Sequence, residues 1–156
     1  MTQPNFDMKK YSLILLFSIL VIGMSFLPSG YGQNEVSKTI AKNANPIVYH
    51  LTSNDPWRAS IAISDAINLK NLGYNITVLL SIEGVQVGVK NPHHFLNLND
   101  VVTNVTNFIK DGGKVVVCSV CLRVAGFQPN EIIDGAIIGN DVITSKIFTN
   151  AKVVTY

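Results

Sequence analysis

Charge is scarce in this chain. Of its 156 residues only 14% are Asp, Glu, Lys or Arg, where a globular domain carries about 25%. Lys and Arg number 12 against 10 Asp and Glu, a net +2, and no like-charged run exceeds Lys9-Lys10. A nucleic-acid partner needs clustered basic side chains, so none is expected. There are two cysteines, too few for the disulfide framework that staples small secreted domains. Absent too are a glycine-rich phosphate loop, a Ser-His-Asp order and a paired acidic motif, which leaves phosphoryl transfer and triad hydrolysis without support. No internal repeat or low-complexity tract occurs. What fills the chain is apolar: 47% of residues are hydrophobic, which excludes a disordered chain. The length suits one domain.

Part of that apolar excess is local. Lys9 and Lys10 precede an uncharged run from Ser12 to Leu27, rich in Leu, Ile, Val and Phe, and the small residues Ser29, Gly30 and Gly32 follow. A charged start, an apolar stretch and small residues form the layout of a secretory signal. The run of sixteen residues lies between signal cores of about 7–15 and spanning helices of about 20. Residues 1–32 therefore read as a signal peptide or an N-terminal membrane anchor, with Tyr11 and Tyr31 as interfacial anchors in the second case. Either way the rest of the chain is expected to be extracytoplasmic, secreted or held at the membrane. Residues 33–45 are polar and without periodicity, and read as a linker.

Residues 46–156 read as an α/β domain. Ile47–Thr52 is a short β-rich run. Asp55 then caps a helix with Pro56 at its first position; Ala59, Ala62, Ile63, Ala66 and Ile67 mark the buried face, and Gly73 stops it. Ile76–Ile82 is strand-like, and Val101, Val102, Val105, Phe108 and Ile109 mark a second amphipathic helix. Val115–Cys118 is the most apolar short strand, followed by helical signals near Val120–Val124, over Glu131–Ile138 and over Asp141–Asn150. Lys152–Tyr156 closes as a last strand. Apolar strands alternating with helices predict a three-layer α/β sandwich with a mostly parallel, four- to five-stranded sheet. Ligands and reactive groups in such sheets gather beyond the carboxyl ends of the strands. Thr52–Asp55, Glu83–Val85 and Cys118–Cys121 occupy those ends.

Cys118-Ser-Val-Cys121 carries the clearest chemistry. The third strand delivers Cys118 to the carboxyl edge just where a helix begins, and free helix amides favour a thiolate there. Such a thiolate can attack sulfur, carry a persulfide, close a disulfide with Cys121 or bind a soft metal. Cys118 is expected to react faster, with Cys121 one helical turn on as resolving partner. The alternative is a non-enzymatic soft-metal protein binding copper through Cys118 and Cys121, helped by His93 and His94 in the loop before Phe95. His50, inside the first strand, reads as a satisfied core histidine. Ser53 and Asp55 read as caps, Glu83 as a turn acid and Trp57 as a core or interface aromatic.

The order of these segments resembles the DsrE/DsrF-like (YchN-type) family. Val48-Tyr49-His50-Leu51-Thr52, then Thr77-Val78-Leu79-Leu80 with Glu83-Gly84-Val85, then Gly113 to Cys118 followed by Gly126-Phe127, match its pattern. The resemblance runs from about Pro46 to Tyr156. It implies a five-stranded, mostly parallel sheet, homo-oligomers (trimers or hexamers), and sulfur-relay chemistry on a cysteine with a donor or acceptor protein. Cys118 and Gly126 match the family's reactive cysteine and following glycine. Cys121 and the apolar N-terminal segment are additions to that pattern.

Overall fold

The computed structural model describes residues 39–156; residues 1–32 and most of the linker lie outside them. Five strands form one sheet: β1 (Ile47–Leu51), β2 (Ile76–Leu80), β3 (Lys114–Cys118), β4 (Ile137–Gly139) and β5 (Lys152–Thr155). Their order is β4-β3-β2-β1-β5, and every pairing is parallel. Helix α1 (Pro56–Asn71) joins β1 to β2, α2 (Asn99–Lys110) joins β2 to β3, α3 (Ser119–Val124) follows β3, and α4 (Asp141–Phe148) joins β4 to β5. This is the predicted three-layer α/β sandwich, with all five strands parallel.

The topology explains the unequal layers. Three successive crossovers step the same way across the sheet, and right-handed connections then leave their helices on one face. The last connection returns past β1 and lays α4 on the other. The first face carries the main core, in which Leu51, Ile63, Val78, Leu80, Val105, Phe108, Val115 and Val117 pack together. On the second face the buried apolar cluster is small, Val48, Leu79 and Val116 under Ile143, Ile147 and Ala151, with Thr77 buried beside it. Parallel strands buried on both faces need continuous apolar sequence, as β2 and β3 have.

Local signals account for the helix ends. Asp55 accepts the Arg58 amide at 2.9 Å as the cap of α1, with Pro56 inside the first turn. Asn140 caps α4 in the same way, accepting the Ile143 amide at 2.9 Å.

Four expectations change. The helical signal over Glu131–Ile138 is not a helix. Gly135, in the left-handed region (φ 87°), breaks the segment, Ile132 bridges Val89, and Ile137 to Gly139 become the edge strand β4. Strand β2 ends at Leu80, and Ile82 opens a 3-10 helix over Ile82–Gly88. The linker is not wholly without structure: residues 39–43 are helical and Ala41 is 3% exposed. Trp57, 79% exposed, is not a core aromatic.

Tyr156 clamps the carboxyl end of β1. The Tyr156 carbonyl accepts from the Thr52 amide (2.9 Å) and the Thr52 hydroxyl (2.8 Å). Its phenol donates to Asp65 at 2.6 Å, and its ring stacks on Tyr49. The Asp65 carboxylate, then burial, push the Tyr156 phenol up to about 12. A phenol with a raised folded pKa stabilises the fold below its unfolded value of about 10, and that contribution is lost as pH climbs through about 12. Tyr156→Phe should therefore lower stability by about 1 kcal/mol near neutrality, the bond being partly solvated. Urea melts at rising pH should show that difference closing between about pH 10 and pH 12.

Candidate functional site

Both cysteines stand at the carboxyl edge, on β3 and the first turn of α3. Cys118 is the extended N-cap residue (φ −60°, ψ 115°), and its Sγ accepts the Cys121 amide at 3.3 Å. A thiol thus occupies the place that serine or aspartate usually takes. Neither thiol is in a disulfide. Burial, followed by the Cys118 side chain, pushes the Cys121 thiol up, against a smaller opposing effect of the Ile82 backbone. Cys121 is therefore held as a neutral thiol.

An apolar cleft of about 430 Å³ opens between α3 and the 3-10 helix, with Ile82, Val120, Cys121, Val124 and Ala125 on its walls and Asn54, Glu83 and Gln86 at its polar positions. Cys121, not Cys118, lines it. Its rim is unusually apolar for a free surface, with Ile82 61% and Val124 84% exposed. Ile82 also holds a left-handed backbone (φ 54°), a conformation that costs a β-branched residue of order 1–3 kcal/mol and clusters at functional sites. The strain persists because the next turn is wedged against β1. The Glu83 and Gly84 amides both donate to the Thr52 carbonyl at 3.2 Å, and a Cβ on Gly84 would lie 2.3 Å from the Leu51 carbonyl oxygen.

The histidines fall elsewhere. Gln86, almost fully buried, accepts the His93 amide through Oε1 and donates through Nε2 to His93 Nδ1 at 2.9 Å. That pairing makes Nδ1 the acceptor and leaves the proton on Nε2. The ring stacks on Phe127 at 5.2 Å. His94 is exposed and begins a 3-10 turn, His94–Leu96. Among the described residues no three His, Cys, Asp or Glu side chains come together as a metal site. His50 is half-buried, satisfied by a 2.6 Å bond between Nε2 and the Ser81 hydroxyl, and burial pushes its pKa down. Ser81 and Ile82, read as the end of the strand-like run Ile76–Ile82, are not marked as site residues by the sequence pattern. Their signal was position: they directly follow the wholly buried strand β2.

A second cavity, about 290 Å³, lies under α4 at the amino edge, between Asn75, Thr77, Lys114 and Lys146. It is at the opposite end of the strands from the thiols.

A parallel five-stranded sheet in this order is a YchN-type (DsrE-like) α/β fold, as the similar solved structures show. The chain is similar to the protein of unknown function MTH1491 from Methanobacterium thermoautotrophicum, with 21% identity over 72% of this chain and 100% of that one, at a TM-score of 0.56. It is also similar to the ychN protein of E. coli, with 20% identity over 71% of this chain and 99% of that one, at a TM-score of 0.52. No family model matches, and no curated protein matches.

Proposed function

We propose that this domain carries sulfur on Cys118, with Cys121 as the resolving thiol. The observation that carries the reading is the pair itself: two free cysteines at the carboxyl edge, one capping a helix and accepting the amide of the other, the other walling an apolar cleft. The Cys118 thiolate attacks the outer sulfur of a donor persulfide; a new S–S bond forms on Cys118 and the donor's S–S bond breaks. The electron pair leaves with the donor thiolate, which takes a proton. The loaded sulfur then passes to an acceptor thiolate by the same exchange. Alternatively, Cys121 attacks Cys118 Sγ, closing the disulfide and releasing hydrosulfide, and an external dithiol must reduce the pair before another round. The apolar wall favours the step taken by Cys121, which lines it, because a poorly hydrated thiolate is the stronger nucleophile. Likeness of fold to the ychN protein supports the reading.

Purified protein treated with an inorganic polysulfide should gain the mass of one sulfur atom on the peptide holding Cys118, reversibly with dithiothreitol. Failure to gain it, with both thiols free at the outset, counts against the proposal.

The same reading makes the protein a homo-oligomer, trimer or hexamer, working outside the cytoplasm. The exposed apolar side chains Trp57, Ile61 and Val124 support association. Light scattering on purified protein tests it: a monomer at micromolar concentration contradicts it. The location rests on residues 1–32, outside the described residues; domain that resists protease added to intact cells contradicts it.

A further inference from the structure

The sulfur chemistry at the carboxyl edge leaves the cavity at the amino edge unused. About 290 Å³ in volume, it lies between α4 and the second face of the sheet. The strand register builds its floor. Thr77 sits between Val48 of β1 and Lys114 of β3, and Val116, two residues along from Lys114, pairs with Ile137. Val48 and Val116 belong to the small cluster under α4. Side chains alternate along a strand and align across it, so Thr77 and Lys114 face α4 as well. Ile143, Lys146 and Ile147 of α4 form the roof.

Two properties of this lining point to a ligand. Thr77 is 8% exposed, and its hydroxyl bonds to no protein group. Fully enclosed, such a hydroxyl would be a buried polar atom without a partner, and the described residues contain none. The Thr77 hydroxyl therefore opens into the cavity that it lines. Charge is the second property. Lys114 and Lys146 line the cavity and no Asp or Glu does; the ion pair among the described residues lies elsewhere, between Lys90 and Asp134. Two ammonium groups without a counter-charge, around a hydroxyl that can donate, attract an anion. The remaining wall, with Val116, Ile137, Ile143 and Ile147, offers a hydrated inorganic ion nothing. We infer that the cavity binds a small organic monocarboxylate. Lys114, Lys146 and the Thr77 hydroxyl hold its carboxylate, and its apolar body packs on Val116, Ile143 and Ile147. The volume is at the low end of the roughly 300–1,000 Å³ of ligand pockets, which suits a single ring or a short branched chain.

Titration of the full chain with benzoate at neutral pH, followed by amide resonances, tests the inference without any sulfur donor. The Thr77, Lys114 and Lys146 amides should shift together and saturate with a Kd of about 1 mM or tighter. Benzyl alcohol has the ring without the charge, and inorganic phosphate the charge without the ring; each should bind at least about tenfold more weakly. Thr77→Val keeps the shape and deletes the hydroxyl, and should weaken benzoate about tenfold. Lys114→Met combined with Lys146→Met should weaken it about fivefold or more, a modest loss because both lysines are exposed. Sulfur loading should be unchanged in these variants, and benzoate binding unchanged in Cys118→Ser, so the two proposals fail separately. The absence of a saturating shift at these amides overturns the inference, as does benzoate binding that the variants leave untouched. Phosphate that binds as tightly as benzoate overturns the organic ligand, and benzyl alcohol that does so overturns the anion. Should Thr77→Val fail to fold, the exposed lysine pair decides.

Discussion

Cys118→Ser should abolish sulfur loading, and Cys121→Ser should load normally and release slowly. The asymmetry follows from where the two thiols stand. Cys118 ends β3 and caps α3, with its sulfur already accepting an amide hydrogen bond, so an anion there is met by a donor that needs no reorganisation. Cys121 is a helical residue whose thiol burial, then the Cys118 side chain, push up, so it attacks second, from one turn along α3. Whole-protein mass after polysulfide treatment should show no added sulfur for Cys118→Ser. For Cys121→Ser it should show full addition, with discharge to an added thiol at least about tenfold slower. Equal loading of both variants would place the reactive sulfur on Cys121, the thiol that lines the cleft, and would reverse the assignment.

The largest effect on stability should come from one hydrogen atom. Gly84→Ala puts a Cβ 2.3 Å from the Leu51 carbonyl oxygen and 2.9 Å from its carbon. Both are backbone atoms of a central strand, so no rotamer change relieves the clash; either β1 or the 3-10 helix must move. Overpacking of this kind costs about 3 kcal/mol or more, a fall in melting temperature of roughly 10 °C or more for a domain of this size. Gly126→Ala is the control. Gly126 has a positive φ (87°) yet open space around its Cβ position, so it should lose only the roughly 1 kcal/mol of left-handed backbone strain. Thermal melts that rank the two the other way would contradict the wedge of the 3-10 helix against β1. Because that wedge also holds Ile82 beside Cys121, folded Gly84→Ala protein should show altered Cys121 alkylation, while Gly126→Ala should not.

Most of the architecture was legible in the residues. Strands β2 and β3 announce themselves as buried by dense Ile, Val and Leu, helix α1 by its cap at Asp55 and its apolar spacing, and α4 by the helical signal over Asp141–Asn150. These are local effects, decided within a few residues by hydrogen bonding and periodicity. The Glu131–Ile138 segment was misread for a reason of the same kind. Its isoleucines recur at helical intervals, but Gly135 in the left-handed region and a sheet edge waiting beside β3 make the extended form better, and tertiary pairing overrides the local pattern.

The candidate site divides along the same line. The sequence alone determined that two cysteines, three apart, would stand at the end of a buried strand and the start of a helix. Only the fold decided which thiol lines the cleft, and only the fold set His93 against Gln86 and Phe127. Ser81 and Ile82 were unreadable for a plainer reason. Their properties come from partners far along the chain: His50, 31 residues before Ser81, and Thr52, whose carbonyl holds the turn after Ile82. A linear pattern records what a residue is and how its neighbours repeat. Which strand lies beside which is settled by burying two unequal faces at once, and that is a property of the whole sheet.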